Sequence, residues 1–277
     1  MSRMAPTEGD TVRGSPEKFA DHYTQAELFW NSQTTTEKAH IIGAFRFELT
    51  RVQVPAIRER VVSLLLNVSP ELGEAVAEAI GLTGVTPAPA ARPKVASPEV
   101  DRSAALSLFA RPGQTGIRGR RVAIVVTEGT DGDALNAIHQ RLADEGAVAR
   151  RVGLRLGAVS ARGGDPIAVD ATLETMPGVL FGALVLAGGD PGVRELAGAG
   201  QAHEYLRDQY RHCKPILVLD GARELLSNAG IPDTLDDGTA DPGLIIAGAN
   251  TNAAVDEFVS AMASHRQYAR ETDPPRV

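Results

Sequence analysis

Short aliphatic runs limit what this chain can become more than any other feature: RVAIVV at 121–126, GALVLAGG at 182–189, PILVLDG at 215–221 and GLIIAGA at 243–249. Each is the length of a strand, is bounded by turn residues and shows no alternation of polar and apolar positions. That is the pattern of a strand buried on both faces. Helical periodicity fills the gaps, from about Asp133 to Glu145, from Gln201 to Arg211 and from Asn252 to about Tyr268. AVARRVGL (147–154) adds a further strand after the first of these helices. Strand and helix in strict alternation define βαβ units, and these require a parallel sheet with helices on both faces. One stretch breaks the rhythm: AVSARGGDPIAVD (158–170) reads as a small hairpin turning at Gly163-Gly164 beside the main sheet.

The first eighty residues follow a different pattern. Residues 1–15 are polar, lack periodicity and are expected to be disordered. Ala39, Ile42, Phe45 and Leu49 recur at helical spacing behind a threonine run that supplies capping chemistry. Pro55 opens a second helix with Ile57, Val61, Leu64 and Leu65 on one stripe. Ser69-Pro70-Glu71 caps a third, which Gly81 stops. Six of the twelve aromatic residues (Phe19, Tyr23, Phe29, Trp30, Phe45 and Phe47) crowd into this region. Each ring buries on the order of 150–250 Å², and three short helices offer little to cover six of them, so part of the covering surface is expected elsewhere.

Pro87, Pro89, Pro93 and Pro98 lie among alanines after these helices, a composition that makes an extended, semi-rigid connector. The expected organisation is therefore a disordered lead-in (1–15), a helical domain (16–82), a Pro/Ala-rich linker (83–118), a flavodoxin-like doubly wound α/β domain (119–270) and a disordered tail (271–277).

Charge and composition exclude several functions. A net charge of −7 argues against an electrostatic nucleic-acid partner. No apolar run approaches a membrane span and no secretory leader is visible, so a cytoplasmic protein without a membrane partner is expected. The single cysteine excludes an internal disulfide, and His40, His139, His203 and His265 show no ligand spacing, so no metal is expected.

Ligands of open parallel sheets bind beyond the carboxyl ends of the strands. Three places qualify here: Glu128-Gly129, Gly188-Gly189 and Asp220-Gly221. Asp220 stands at a strand-to-helix turn of the kind that exposes a nucleophile, yet Gly221 and Ala222 offer it no partner, and helix capping is the ordinary work of aspartate there. Cys213 precedes its strand, at the opposite end of the sheet, where an inert buried thiol is the commoner case. Gly198-Ala199-Gly200 could present N–H groups to an anion, but reads better as a loop. The side chains of Asp21-His22-Tyr23 do not converge on one point, so a hydrogen-bonding anchor is expected there instead of acid–base catalysis.

The stretch PEKFADHYTQAELFWNSQTTTEKAHIIGAFRFELTRV, followed by IRERVVSLLLNVSPELGEAVAEAIGL, closely resembles the helical segment that follows the haem barrel in monofunctional catalases. RRVAIVVTEGTD, GVLFGALVLAGGDPGV and YLRDQYRHCKPILVL resemble the extra C-terminal domain of large-subunit catalases. Together the two matches run from about Pro16 to Ala263. The resemblance implies a family reaction, haem-dependent disproportionation of hydrogen peroxide, and a homo-oligomer, commonly a tetramer. The haem ligands and catalytic residues of that family lie in a barrel region that this sequence does not contain, so no catalytic, haem-binding or metal residue is carried over. The expected role is in assembly, stability or chaperone-like holding beside a haem-barrel polypeptide, as half of a split enzyme or as a stand-alone relic.

The extra domain also resembles the class I glutamine amidotransferase-like superfamily, whose members place a cysteine at the elbow after a KPI-type strand and a glutamate after the first strand. Here the elbow reads Asp220-Gly221, and Glu128 stands at the glutamate position. A small-molecule enzyme of glyoxalase type using Asp220 and Glu128 is the alternative. On the leading reading, Asp220, Glu128, Gly188 and Gly189 form a silent pseudo-active site.

Overall fold

A computed structural model describes residues 14, 17–92, 94–95, 98–109, 116–219, 221–248 and 251–277. The chain divides into two compact units, 1–114 and 115–277.

The first unit is helical. A 3₁₀ turn, Glu17–Ala20, leads into α1 (Thr24–Ser32), α2 (Thr35–Arg51), α3 (Pro55–Val68) and α4 (Pro70–Ala79). The last three are the helices the sequence predicts; α1 is additional and lies within the aromatic cluster. Thr34 and Glu37 form a reciprocal capping box on α2, while Pro55 and Pro70 occupy first-turn positions where a missing N–H costs nothing. Trp30, Leu49, Val62, Leu65, Leu72 and Val76 make the core. Trp30 donates its indole N–H to Glu71 (3.1 Å), and the Lys38 ammonium sits 4.6 Å from its ring centre. Of the six clustered rings, Tyr23 and Trp30 are buried and Phe45 is half-buried, whereas Phe19, Phe29 and Phe47 remain exposed at 69, 46 and 61 %.

The proline-rich stretch is pinned along this unit. Ala88 donates to the Ser63 carbonyl and accepts from Asn67; Lys94 reaches Glu27 (2.8 Å), and Ser103 N–H donates to Ser32 Oγ. Glu37 accepts from both Ser107 Oγ and Leu108 N–H. Burial pushes the Glu37 carboxyl up, but the hydrogen bonds from Thr34, Ser107 and Leu108 outweigh it and hold the group below the usual carboxylate range.

The second unit is α/β. Its strands are β1 (Arg121–Val126), β2 (Val148–Gly153), β3 (Gly157–Val159), β4 (Ile167–Val169), β5 (Ala171–Thr172), β6 (Ala183–Ala187), β7 (Ile216–Val218) and β8 (Leu244–Ile246). Six of them form a parallel sheet in the order β5-β2-β1-β6-β7-β8. Apart from the two-residue edge strand β5, this is the 2-1-3-4-5 order of a flavodoxin-like sheet. The strands β3 and β4 pair antiparallel as the expected hairpin.

Helices α5 (Gly132–Asp144) and α9 (Thr251–Ala263) cover one face; α6 (Asp190–Ala197), α7 (Gly200–Arg211) and α8 (Glu224–Asn228) cover the other. The alternation along β1 explains its unbroken aliphatic sequence. Val122, Ile124 and Val126 pack with Leu135, Ile138 and Phe258 on one side, while Ala123 and Val125 pack with Leu196 and Leu206 on the other. The final helix stops at Ala263, short of Tyr268, because His265 adopts a left-handed φ of 74° that ends helical hydrogen bonding.

Beneath the amino ends of the strands lies a buried polar cluster. Arg270 and Asp241, both with side chains 1 % exposed, form an ion pair at 2.5 Å. The guanidinium also donates to the Lys214 carbonyl (2.6 Å) and lies 4.8 Å from the Tyr210 ring centre, and Asp241 accepts from Gly243 N–H. Lys214 itself is 2 % exposed, with Nζ donating to the Gly178 carbonyl at 3.0 Å.

Candidate functional site

The carboxyl ends of β1 and β6 meet at the point where strand order reverses, the place where a doubly wound sheet binds its ligand. A tight turn leaves β1. Thr130 Oγ1 accepts from Thr127 N–H (3.1 Å) and donates to the Ala187 carbonyl (2.5 Å), which ties the β1 turn to the end of β6. Both threonines are buried. The glycines are required by close approach. A Cβ on Gly189 would lie 2.2 Å from the Gly129 carbonyl oxygen, and one on Gly192 would lie 2.2 Å from Thr127 Cβ. Gly129 itself adopts a φ of 80°. Backbone meets backbone here, so the crevice is narrowed by main chain. Gly192→Ala is accordingly expected to force α6 off the β1 turn and to cost about 2–3 kcal/mol, measured as a lower urea midpoint at unchanged m-value.

Glu128, Gly188 and Gly189 are thus brought together. Glu128 is already engaged: its Oε2 accepts from Ser160 N–H at 2.8 Å, and Gly129 N–H donates to the Ser160 carbonyl, also at 2.8 Å. Ser160 follows β3, so the inserted hairpin occupies the glutamate. Asp131 caps α5 by accepting from Ala134 N–H and pairs with Arg162 at 3.1 Å. The Ala134 N–H, then Arg162, hold its carboxyl below the ordinary range. The cavity left beneath these groups measures about 100 Å³ and is lined by Thr130, Arg162, Ala187, Gly188, Leu219 and Ala247 among others. Asp220 lies outside the described residues. Its neighbour Gly221 (φ 88°) approaches the Gly188 carbonyl.

The remaining candidates resolve individually. Cys213 is buried with a φ of 56°, and burial pushes its thiol up to about 11, which leaves it a poor nucleophile. Asp21 accepts from Tyr23 and Thr24 N–H and so anchors the start of α1. Gly200 opens α7, and Gly198 closes α6, a helix that the glycines of its sequence conceal. Sequence reasoning also missed Thr127, Thr130, Gly192 and Ser160; the density of small residues in TEGTDGD and AGGDPG hinted at the first three, and nothing hinted at Ser160.

Among the described residues no three or more His, Cys, Asp or Glu side chains group as metal ligands do. A haem needs an axial donor opening onto a porphyrin-sized apolar slot. Burial holds the Tyr205 and Tyr210 phenols and the Cys213 thiol neutral, and the cavity beside Tyr210 measures about 80 Å³. These residues do not fit a haem.

The fold and site define a doubly wound domain whose strand-end crevice is filled by its own chain. A family model described as catalase-related immune-responsive matches residues 16–80, and one described as the C-terminal domain found in long catalases matches residues 118–272. The chain belongs to the large-subunit catalase family, of which it is the C-terminal portion. It is similar to catalase C of Rhizobium meliloti (38 % identical, covering 86 % of this chain and 34 % of the relative). It is likewise similar to catalase HPII of Pseudomonas putida (34 % identical, 94 % and 35 %) and to catalase-2 of Bacillus subtilis (33 % identical, 95 % and 36 %). The chain therefore spans about a third of the length of these relatives.

Proposed function

We propose that this polypeptide serves a catalase as an assembly and stabilising portion, and that the family reaction, haem-dependent disproportionation of hydrogen peroxide, is carried by residues outside it. The reading rests on one observation above all: large apolar side chains stay exposed on the helical unit. Phe19, Phe29, Phe47, Ile57 and Leu64 are between 42 and 69 % exposed, although the same unit buries Trp30 at 2 %. Scattered single apolar residues need no explanation, but five on one small unit are what an interaction surface would supply. A haem-barrel polypeptide, of the kind that would make up the rest of a relative's length, is the proposed cover, in a homo-oligomeric assembly.

The test is to purify the chain with haem supplied, alone and co-expressed with the first two thirds of the Rhizobium relative. Alone, it is expected to show no Soret band and no peroxide turnover. Together, the two are expected to co-elute, with slower amide exchange in α2 and α3. Turnover by the chain alone, or exchange unchanged by the barrel, overturns the reading.

A further inference from the structure

The strand-end crevice is roofed by a segment whose attachments are of two kinds. Strand β4 is anchored by burial: Ile167 and Val169 belong to the core on the α5 side of the sheet. Before it, Val159 pairs with Ile167 and packs with Ala161 against the same core, and polar ties hold the segment to the β1 turn. Ser160 N–H donates to Glu128 (2.8 Å), Gly129 N–H donates to the Ser160 carbonyl (2.8 Å), Arg162 N–H donates to the Thr130 carbonyl (2.8 Å) and the Arg162 guanidinium reaches Asp131 (3.1 Å). Between the tied residues and β4 stand Gly163 and Gly164, both at left-handed φ (78° and 79°), with no atom within 4 Å of where a Cβ would project. Consecutive glycines in open space let the chain change direction without a clash.

We infer that residues 160–164 are a lid over this crevice, latched by Glu128 and hinged at Gly163-Gly164. Closed, the crevice holds about 100 Å³, room for about three waters at ~30 Å³ each, far below the 300 Å³ or more of a small-molecule site. Lifting Arg162 removes one wall. The crevice shares two lining residues, Ala134 and Thr251, with a groove of about 480 Å³ between α5 and α9. The same motion releases the Glu128 carboxylate from the Ser160 N–H. This inference does not depend on the proposed catalase role, since it concerns motion within the α/β unit alone.

Hydrogen exchange and tryptic cleavage after Arg162 read the lid directly. Glu128→Ala removes the charge-assisted tie, so exchange at 160–164 and cleavage after Arg162 are expected to accelerate at least tenfold while amides of β1 keep their wild-type rates. A staple tests the opposite direction. The Cβ position of Gly132 lies 3.3 Å from Ala161 Cβ, close enough for Gly132→Cys with Ala161→Cys to form a disulfide. Oxidised, that variant is expected to slow cleavage after Arg162 at least tenfold relative to its reduced form. Should Glu128→Ala fail to fold, the staple decides alone. The lid is overturned if 160–164 exchange only in step with β1, or if oxidation of the staple leaves cleavage unchanged.

Discussion

Arg270→Ala is expected to destabilise the α/β unit by about 3–5 kcal/mol, the range for removing one partner of a buried ion pair. Three interactions converge on that guanidinium: the Asp241 carboxylate, the Lys214 carbonyl and the Tyr210 ring. Truncation strands all three at once, and Asp241 suffers most because its side chain is 1 % exposed and cannot recover water. Urea unfolding followed by far-UV circular dichroism measures the loss. A double replacement, Arg270→Met with Asp241→Leu, separates the two parts of the effect. It removes the charges together and is expected to recover most of the stability, whereas a double variant as unstable as Arg270→Ala would mean that the pair does more than neutralise itself.

Lys214 is expected to make the protein more stable as pH rises above 8. Its ammonium is buried against main-chain carbonyls, with no carboxylate in contact among the described residues. Burial, and secondarily Arg266, push it down to about 8, with Asp208 opposing. Below pH 8 the folded and unfolded chains both carry the proton, and the folded state bears the full penalty of a buried charge. Between pH 8 and about 10.5 the unfolded chain retains a proton that the folded chain has released, so stability increases with pH. At 1.36 kcal/mol per pH unit the whole window is worth about 3 kcal/mol. Lys214→Met removes both charge and proton while leaving the Gly178 carbonyl its bond from Gln209. The variant is expected to be the more stable protein at pH 7, and its advantage should vanish by pH 10.5. Subtracting the two urea-unfolding profiles across this range cancels every other titrating group, and a difference that does not change with pH refutes the assignment.

The central strands were legible because burial on both faces leaves no room for polar residues: RVAIVV is strand from its first residue to its last. The hairpin was legible from Gly163-Gly164 between two alternating runs. Helix α6 was not, since Gly188, Gly189, Pro191 and Gly192 look like loop punctuation. Pro191 in fact sits in the first turn of a helix, and the glycines are set by how closely Thr127 and Gly129 approach. The same limit governs the site. Glu128 could be picked out as a carboxylate at a strand end, but its partner is the main-chain N–H of Ser160, and a backbone donor carries no residue-type signal. The proline-rich stretch stands out by composition alone. Its ties to Glu27, Glu37 and Asn67 depend on tertiary neighbours that no local window contains.

Strand order also sets an order of events during synthesis. Helices α1 to α4 close on neighbours within the first eighty residues, whereas Val122 of β1 must wait for Ala183 of β6, and β6 for β7, before the middle of the sheet can zip together. Parallel pairing of this kind is slow because long loops must close before any contact rewards them. On a ribosome adding about 5–20 residues each second, the helical unit is therefore complete while β1, aliphatic from end to end, still lacks its β6 neighbour. In that interval β1 is the stretch that a nascent-chain holdase would be expected to grip.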